Sequence, residues 1–351
     1  MNILYIRRDM NTHGTLKKMY RHCRKSCFFT EQDGFFEASL QQVGSITEVS
    51  VGDVESNKAD PADFDATIVN LKAKNFFNKS QQRKFYQLCR NKSSKPLALF
   101  IGAAQAEYML DDEALNNFDV IFKREPFKDK DRYAISDENK SKIRPTMICS
   151  PTPKIPRDTV FGHLCTNFLV RANKVGSNVW GQERDVFFVG KMCKWHSLRE
   201  DVVRRLVEQK NIDFHGGLLS HESATVQSPA PELRAKKLRG REYFSAVQVA
   251  KVNIALDGVG QYTFRHQELL ALGAFMMSGP SIRELELPMP LEENKHYVAF
   301  DNLDDMVEKI RYYLEHDAER KKIAAAGKEL FDTYYDPVRH GKELRRALVT
   351  N

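Results

Sequence analysis

The sequence lacks any long apolar run. Its 351 residues are 42% hydrophobic and 29% charged, and no window approaches the ~20 apolar residues of a membrane-spanning helix. The first residues, MNILYIRRDM, contain an apolar run too short for a signal peptide, and arginines follow it at once. These absences predict a cytoplasmic protein, which could still work at the inner face of a membrane.

Cysteine is scarce, and its spacing fits no zinc-binding pattern. The six cysteines stand at positions 23, 27, 89, 149, 165 and 193. Cys23 and Cys27 lie near His22 on a predicted helix, but no second pair of ligands follows. Free thiols in a reducing compartment are therefore predicted. The sequence also lacks the RNP, zinc-finger and helix-turn-helix signatures of nucleic-acid-binding domains.

Excess positive charge is confined to the first half of the chain. The formal net charge is +7. Residues 1–175 contain 28 Lys and Arg against 21 Asp and Glu, whereas residues 176–351 contain 26 of each kind. A basic half favours an acidic partner, such as a phosphate-bearing glycan, a lipid carrier, an anionic membrane or a nucleic acid. A mildly basic, solvated surface is the alternative.

Strands and helices alternate along the first half, which predicts a parallel sheet covered by helices on both faces. The predicted strands are 2–6, 46–51, 65–71, 96–102 and 118–123, and the predicted helices are 15–27, 35–44 and 77–91. Gly44 is predicted to end the second helix as its C′ residue. Residues 128–160 are charged, contain proline and show no clear period, so an irregular segment leading to a linker is predicted.

The alternation restarts in the second half, which predicts a second α/β unit. The predicted strands are 184–190, 211–217 (with its turn), 251–256, 274–277 and 297–300, and the predicted helices are 196–210, 243–250, 303–316, 317–331 and 336–348, with one more beginning near Thr263. Ligands bind outside the carboxyl ends of parallel strands. Two such sheets facing each other predict a site in the cleft between them.

The composition of residues 255–280, ALDGVGQYTFRHQELLALGAFMMSGP, differs from that of an ordinary hydrophobic core segment. Gly258 and Gly260 lie in a polar turn, and Arg265 and Glu268 follow three residues apart on a predicted helix. An i,i+3 pair shares one helical face. Either the two residues form a surface ion pair, or they serve a ligand at the start of the helix.

The second half resembles group 1 glycosyltransferases of the GT-B architecture, most closely the spore-maturation-protein-like (CgeB-like) branch. The resemblance covers about residues 184–348. It rests on FVGK…HSLREDVVRRL, KVNIAL, R-x-x-E-LLALGAFMMSG and YVAFDNLDDMVEKIRYYLEHDAERKKIAAAGKELF. It implies two Rossmann-like domains: 1–172 for the acceptor and 173–333 for the nucleotide-sugar donor. It also implies that the C-terminal helix, 334–351, crosses back to the first domain, and that a sugar is transferred in the cleft.

The physical reading of the stretch agrees with this resemblance. A nucleoside diphosphate needs positive charge and N–H donors, which a helix beginning near Thr263 and the guanidinium of Arg265 can supply. Gly258 and Gly260 allow close backbone approach. The resemblance implies that Glu268 accepts from ribose hydroxyls. Retaining members of the family often carry a second glutamate eight residues earlier, but Gly260 stands there and Asp257 is the nearest upstream acid.

The remaining candidates follow from strand exits in both halves. Lys191 after Gly190 matches a basic position that contacts donor phosphate in similar enzymes, and a solvated lysine is the alternative; Lys194 is a second candidate. The full set predicted to bind the donor is Gly190, Lys191, Lys194, Gly216, Asp257, Gly258, Gly260, Tyr262, Thr263, Arg265, His266 and Glu268. Further cleft residues are His215, Gly217, Gly102 and Gln105. Asp9 or His13, in the loop after the first strand, is the predicted general base if the transfer inverts.

No metal and no cofactor other than the nucleotide-sugar cosubstrate is predicted. Asp129 and Asp131 form an Asp-x-Asp, but they lie in the charged stretch DKDRY rather than behind an apolar strand. GT-B enzymes neutralise the leaving diphosphate with cationic side chains and helix dipoles. Two other functions remain open: a nucleotide-sugar epimerase on the same scaffold, and a non-catalytic binder of polyanions or nucleic acid. A hybrid of the transferase and the binder is a glycosyltransferase whose acceptor is itself DNA or another polyanion.

Overall fold

The computed structural model describes residues 1–7, 32–72, 78–149, 183–194, 197–221, 227–238 and 241–349. The chain divides into two compact units. The first contains Met1–Cys149, Glu284–Pro288 and Asp336–Asn351, and the second contains Ser150–Arg283 and Met289–Tyr335. The predicted domain boundary at 172/173 and the predicted helix 15–27 lie outside the described residues and stay predictions.

A six-stranded parallel sheet forms the centre of the first unit. Its strands are β1 (Asn2–Ile6), β2 (Ser45–Val49), β3 (Ala66–Asn70), β4 (Leu97–Ile101), β5 (Val120–Arg124) and β6 (Ile143–Thr146), in the spatial order β2-β1-β3-β4-β5-β6. β3 and β4 are buried along their whole length. A strand covered by helices on both faces has no solvent-facing side, so its sequence does not alternate between apolar and polar residues. This explains the apolar runs ATIVN and LALFI.

Within the described residues up to β6, five helices accompany this sheet: α1 (Gly34–Leu40), α2 (Val51–Glu55), α3 (Lys79–Lys92), α4 (Asp112–Leu115) and α5 (Asp137–Ser141). α5 and β6 occupy part of the segment 128–160, so the prediction of an irregular segment is wrong there. β6 was not predicted because Arg144 and Pro145 interrupt its apolar pattern. Proline is tolerated there because β6 is an edge strand. Gly44 does not cap α1, which ends at Leu40. A Cβ at Gly44 would lie 1.9 Å from the carbonyl oxygen of Met1, so close backbone approach requires glycine.

The second unit is built on a five-stranded parallel sheet. Its strands are β7 (Arg184–Lys191), β8 (Phe214–Leu219), β9 (Ala250–Ala255), β10 (Met276–Ser278) and β11 (Val298–Ala299), in the order β11-β10-β9-β7-β8. Its helices are α6 (Leu198–Val207), α7 (Arg241–Val249), α8 (Phe264–Leu272), α9 (Leu303–Glu315) and α10 (Asp317–Tyr334). The strand order reverses between β7 and β9, and such a switch point opens a crevice at the carboxyl ends of the strands.

One prediction for this unit is wrong in detail. Gly216 and Gly217 were expected in a turn after a strand, but both lie inside β8, with φ of 138° and 134°. A Cβ on Gly216 would lie 1.7 Å from the carbonyl oxygen of Phe188 in the neighbouring β7. Gly216 therefore allows β8 to pair closely with β7, whereas a Cβ on Gly217 would lie 2.5 Å from the carbonyl oxygen of Leu233.

The last helix, α11 (Pro337–Val349), belongs to the first unit. It packs against α1, where the ring of His340 stacks on Phe35 with centroids 5.1 Å apart. Leu344 and Leu348 join the core formed by Ile3 and other β-sheet residues. The predicted return of the C-terminal helix to the N-terminal domain is confirmed.

Two expectations from composition can be compared with the described residues. None of the helices described is both long and apolar enough to cross a membrane. Cys89, Cys149 and Cys193 form no disulfide within the described residues, and a reducing compartment stays a prediction. The other three cysteines lie outside the described residues.

Candidate functional site

A pocket of about 480 Å³ opens at the switch point of the second sheet. Its walls come from the ends of β7 and β8, the residue after β9, the starts of α6 and α8, and α7 with the segment before it. The lining residues are Phe188, Val189, Gly190, Lys191, Arg199, Leu219, Lys237, Leu238, Tyr243, Phe244, Leu256, Thr263, Phe264, Arg265 and Glu268. Five predicted donor residues meet here, namely Gly190, Lys191, Thr263, Arg265 and Glu268.

The N-terminus of α8 forms one side of the pocket. Thr263 is the N-cap residue, and its backbone N–H donates to Nδ1 of His266 at 3.0 Å. Thr263, Phe264 and Arg265 all line the pocket. The first N–H groups of a helix have no intrahelical partner and carry its partial positive charge. This end of the pocket is therefore suited to an anion.

Arg265 is held over the pocket by β7 and by aromatic rings. Its Nη2 donates to the carbonyl oxygen of Val189. The guanidinium carbon lies 5.2 Å from the ring centroid of Phe188 and 5.3 Å from that of Tyr243. Stacking on aromatic rings orients the planar guanidinium and leaves its remaining donors for a ligand.

Among the described residues, Glu268 is the only carboxylate that lines the pocket. Its Oε2 accepts a hydrogen bond from the Tyr243 hydroxyl at 2.6 Å. Burial raises the pKa of Glu268, while this hydrogen bond and the charge of Arg265 oppose the rise. A carboxylate so placed can accept hydrogen bonds from ligand hydroxyls.

Arg199 in α6 is a pocket residue that sequence reasoning missed. Its Nε donates to the Asp257 carbonyl at 2.7 Å and its Nη1 to the Lys191 carbonyl at 2.9 Å. The side chain thus bridges the residues at the ends of β7 and β9. A Cβ on Gly258 would lie 2.9 Å from Arg199 Nη2, so the predicted role of Gly258 in close approach concerns this arginine.

Tyr243 and Lys237 were also missed. Tyr243 lies in α7 and contacts Glu268, which is 25 residues later in the chain. A contact between two separate elements cannot be predicted from residue spacing within one of them. Lys237 is an exposed lysine in a basic loop. Its one signal in the sequence is the basic stretch RAKKLRGR, residues 234–241.

His266 is not brought to the pocket, and its predicted contact with sugar or phosphate must be corrected. Its side chain is fully buried, with Nδ1 accepting from Thr263 and Nε2 3.1 Å from the Ser278 hydroxyl. Tyr262, also buried, stacks on it with centroids 4.8 Å apart. Both side chains are buried inside the domain, where they support the start of α8.

The other predicted donor residues lie around the pocket rather than in its lining. Asp257 accepts from the Ser281 hydroxyl at 2.6 Å, and Gly260 accepts from the Gly258 N–H at 2.9 Å in a tight turn. Lys194 is exposed and outside the lining. Gly216 lies within β8, as described above.

The remaining predicted cleft residues do not line the pocket. His215 is exposed and stacks on Phe187, and Gly217 lies in β8. In the first unit, the carbonyl of Gln105 accepts from the Lys123 ammonium at 3.0 Å, and a Cβ on Gly102 would lie 2.6 Å from Asp33 Oδ1. Asp9 and His13 lie outside the described residues.

Asp129 and Asp131 have partners within the protein. The side chain of Asp129 accepts from the Asp131 N–H and begins a short 3-10 helix. Asp131 accepts from Lys140 at 2.8 Å. Among the described residues, no group of three or more His, Cys, Asp or Glu is arranged to hold a metal ion.

Solved structures share this architecture. Sucrose-phosphate synthase from Thermosynechococcus elongatus aligns over 100% of both chains, with a TM-score of 0.57 and 8% identity. HepE of Anabaena, in complex with UDP and glucose, aligns over 100% of both chains, with a TM-score of 0.54 and 9% identity. An alpha-glucosyltransferase in complex with UDP and a 13-mer DNA aligns over 99% of both chains, with a TM-score of 0.51 and 14% identity. These likenesses confirm the predicted GT-B fold.

Sequence comparison adds the chemistry to the fold. The family model described as glycosyl transferase-like matches residues 196–346, which include the whole of α8. The chain is a glycosyltransferase. No curated protein compared with this glycosyltransferase matches it. Its place in the spore-maturation-protein-like branch stays a prediction.

Proposed function

We propose that this glycosyltransferase moves a sugar from a nucleotide-sugar donor, held in the α8 pocket, to an acceptor hydroxyl without a metal ion. One observation carries the proposal. In the described part of the lining, four cationic side chains and a helix N-terminus face a single carboxylate; the cations are Lys191, Arg199, Lys237 and Arg265. Such an excess of positive charge suits a diphosphate.

The rest of the lining suits a nucleoside. Phe188, Leu238 and Phe244 offer apolar and aromatic surface for a base. Glu268 offers carboxylate oxygen to ribose hydroxyls. UDP is the first nucleotide to test because HepE and the DNA-bound alpha-glucosyltransferase were both solved with it.

The reaction forms one bond and breaks another at the anomeric carbon. An acceptor oxygen bonds to that carbon, and the bond from the carbon to the diphosphate oxygen breaks, so the nucleoside diphosphate leaves with the electron pair. The acceptor proton passes to a base, for which Asp9 and His13 remain the proposals. Arg265 and the start of α8 stabilise the negative charge that grows on the leaving group. Metal independence predicts full turnover in excess EDTA.

The acceptor is proposed to be acidic. The excess of Lys and Arg in residues 1–175 supports a phosphate-bearing glycan, a lipid carrier at the inner membrane face, or a nucleic acid. The alpha-glucosyltransferase bound to a 13-mer DNA illustrates the last of these on the same fold.

Titration calorimetry with UDP and UDP-glucose tests donor binding. Arg265→Ala should weaken UDP binding roughly ten- to hundredfold, since a hydrogen bond to a charged group contributes about 1.5–3 kcal/mol. Arg204→Ala is the matched control, because Arg204 is an exposed arginine outside the pocket lining that pairs with Glu200 at 2.8 Å. Equal affinity of the wild type and Arg265→Ala for UDP would place the donor elsewhere.

A further inference from the structure

Tyr243 holds Glu268 from a second element of the fold. Its ring packs against Phe187, with centroids 5.9 Å apart, and against Phe244 edge-on at 5.6 Å. The Arg265 guanidinium lies 5.3 Å from the same ring. The hydroxyl of Tyr243 therefore occupies a defined position, because the ring that carries it is enclosed on several sides.

The hydrogen bond orients the carboxylate of Glu268. Oε2 accepts from Tyr243 at 2.6 Å, and Oε1 has no hydrogen-bond partner in the part of the chain that the structure describes. Glu268 also lines the pocket. One oxygen is thus fixed to the protein, and the other is left for a ligand that can donate a hydrogen bond.

Without this hydrogen bond, Glu268 has a competing partner. Arg265 lies three residues before it on the same helical face, and such pairs attract each other. Burial raises the pKa of the Tyr243 phenol, so this residue remains a donor over the whole physiological range. The tyrosine keeps the carboxylate from turning wholly towards the arginine.

We propose that Tyr243 is a positioning residue that aims Glu268 at the 2′-hydroxyl of the donor ribose, so that the pocket selects ribonucleotide over 2′-deoxyribonucleotide donors. This inference rests on the donor site proposed above. A site built to bond a ligand hydroxyl rejects an analogue that lacks it, because the buried protein group is then left unpaired. The expected preference is roughly ten- to hundredfold in Kd.

The test compares UDP, ADP and GDP with their 2′-deoxy counterparts by titration calorimetry. The variants are Tyr243→Phe and, as a matched control, Tyr312→Phe. Tyr312 also donates its hydroxyl to a glutamate, Glu319, at 2.9 Å, but this pair is exposed and neither residue lines the pocket. Glu268→Gln is the second variant, which keeps the shape of the side chain. Melting temperatures establish that each variant is folded.

The wild type and Tyr312→Phe should prefer the ribonucleotide, and the preference should fall towards one in Tyr243→Phe and in Glu268→Gln. A merely structural tyrosine would weaken both nucleotides equally and leave their ratio unchanged, which would overturn the proposal. Equal affinity of the wild type for the ribonucleotide and its 2′-deoxy counterpart, or a preference for the 2′-deoxy form, would also overturn the proposal. Either result would leave the proposed donor site intact. Failure of every nucleotide to bind the wild type would instead refute the donor site itself, and this inference with it.

Discussion

His266 shows how a residue with a functional appearance can be part of the core. Burial lowers its pKa from 6.5 to about 3. The Thr263 hydrogen bond opposes this fall, and the positive charges of Arg265 and Arg199 add to it. The neutral ring accepts from Thr263 at Nδ1, so the proton lies on Nε2 and is donated to Ser278. Protonation of Nδ1 would set two N–H groups against each other.

The protonation of His266 gives a pH dependence with a definite sign. Below pH 6.5 the unfolded chain binds a proton at this histidine and the folded chain does not, so stability is complete above pH 6.5 and is lost as the pH falls towards 3. The slope for one group is at most about 1.4 kcal/mol per pH unit. Calorimetric unfolding between pH 7 and pH 5 should therefore show a shallower loss of stability in His266→Gln than in the wild type.

The control for this measurement is His316→Gln, which alters an exposed histidine and should keep the slope of the wild type. Parallel pH profiles for the wild type and His266→Gln would show that another group causes the acid sensitivity.

At the scale of single elements, β8 depends on a backbone that only glycine adopts easily. Gly216 has φ of 138° and faces the carbonyl of Phe188. β7 and β8 pair in parallel from Val186–Phe214 to Lys191–Leu219. Because β7 ends in pocket residues, the pairing of these two strands also supports the site.

Gly216→Ala should destabilise the second unit by at least about 2 kcal/mol, because the added methyl group meets backbone and the residue is strained. Gly52→Ala is the matched control. Gly52 lies in helix α2, and the nearest atom to its added Cβ is 3.8 Å away, so this change should be neutral or stabilise by roughly 0.5–1 kcal/mol. Chemical denaturation of both variants measures the difference. A Gly216→Ala protein as stable as the wild type would contradict the packing described for β8.

At the scale of the whole molecule, charge is distributed by half. All of the +7 excess belongs to residues 1–175, while α8 and its pocket belong to the second unit. Exposed charges are screened beyond about 8 Å at physiological salt. Groups in a pocket are screened less, because little water and few ions separate them from the ligand.

The acceptor KM should therefore rise steeply with salt, and the donor KM should rise less. The measurement varies NaCl from about 50 mM to about 500 mM at saturating concentration of the other substrate. An acceptor KM that stays flat over this range would identify the basic half as a solvated surface and would favour a neutral glycan or small-molecule acceptor.

The sequence by itself determined most of the architecture. Of the eleven strands described, ten were predicted to within a few residues. Parallel strands covered on both faces have apolar sequences, which stand out between helices. The start of α8, with Thr263, Arg265 and Glu268, was also predicted, since cap, charge and spacing all lie within one helix. β6 was missed because a proline and an arginine interrupt a four-residue strand.

Only the tertiary structure decided which residues share the pocket and which are buried. Arg199 comes from α6 and its partner Asp257 lies 58 residues away along the chain. Tyr243 comes from α7 and its partner Glu268 lies 25 residues away. His266 differs from Arg265 by one position, yet a turn of about 100° about the helix axis carries it into the core. Local sequence sets the helix and its period, but the direction of each face depends on the sheet that packs against it.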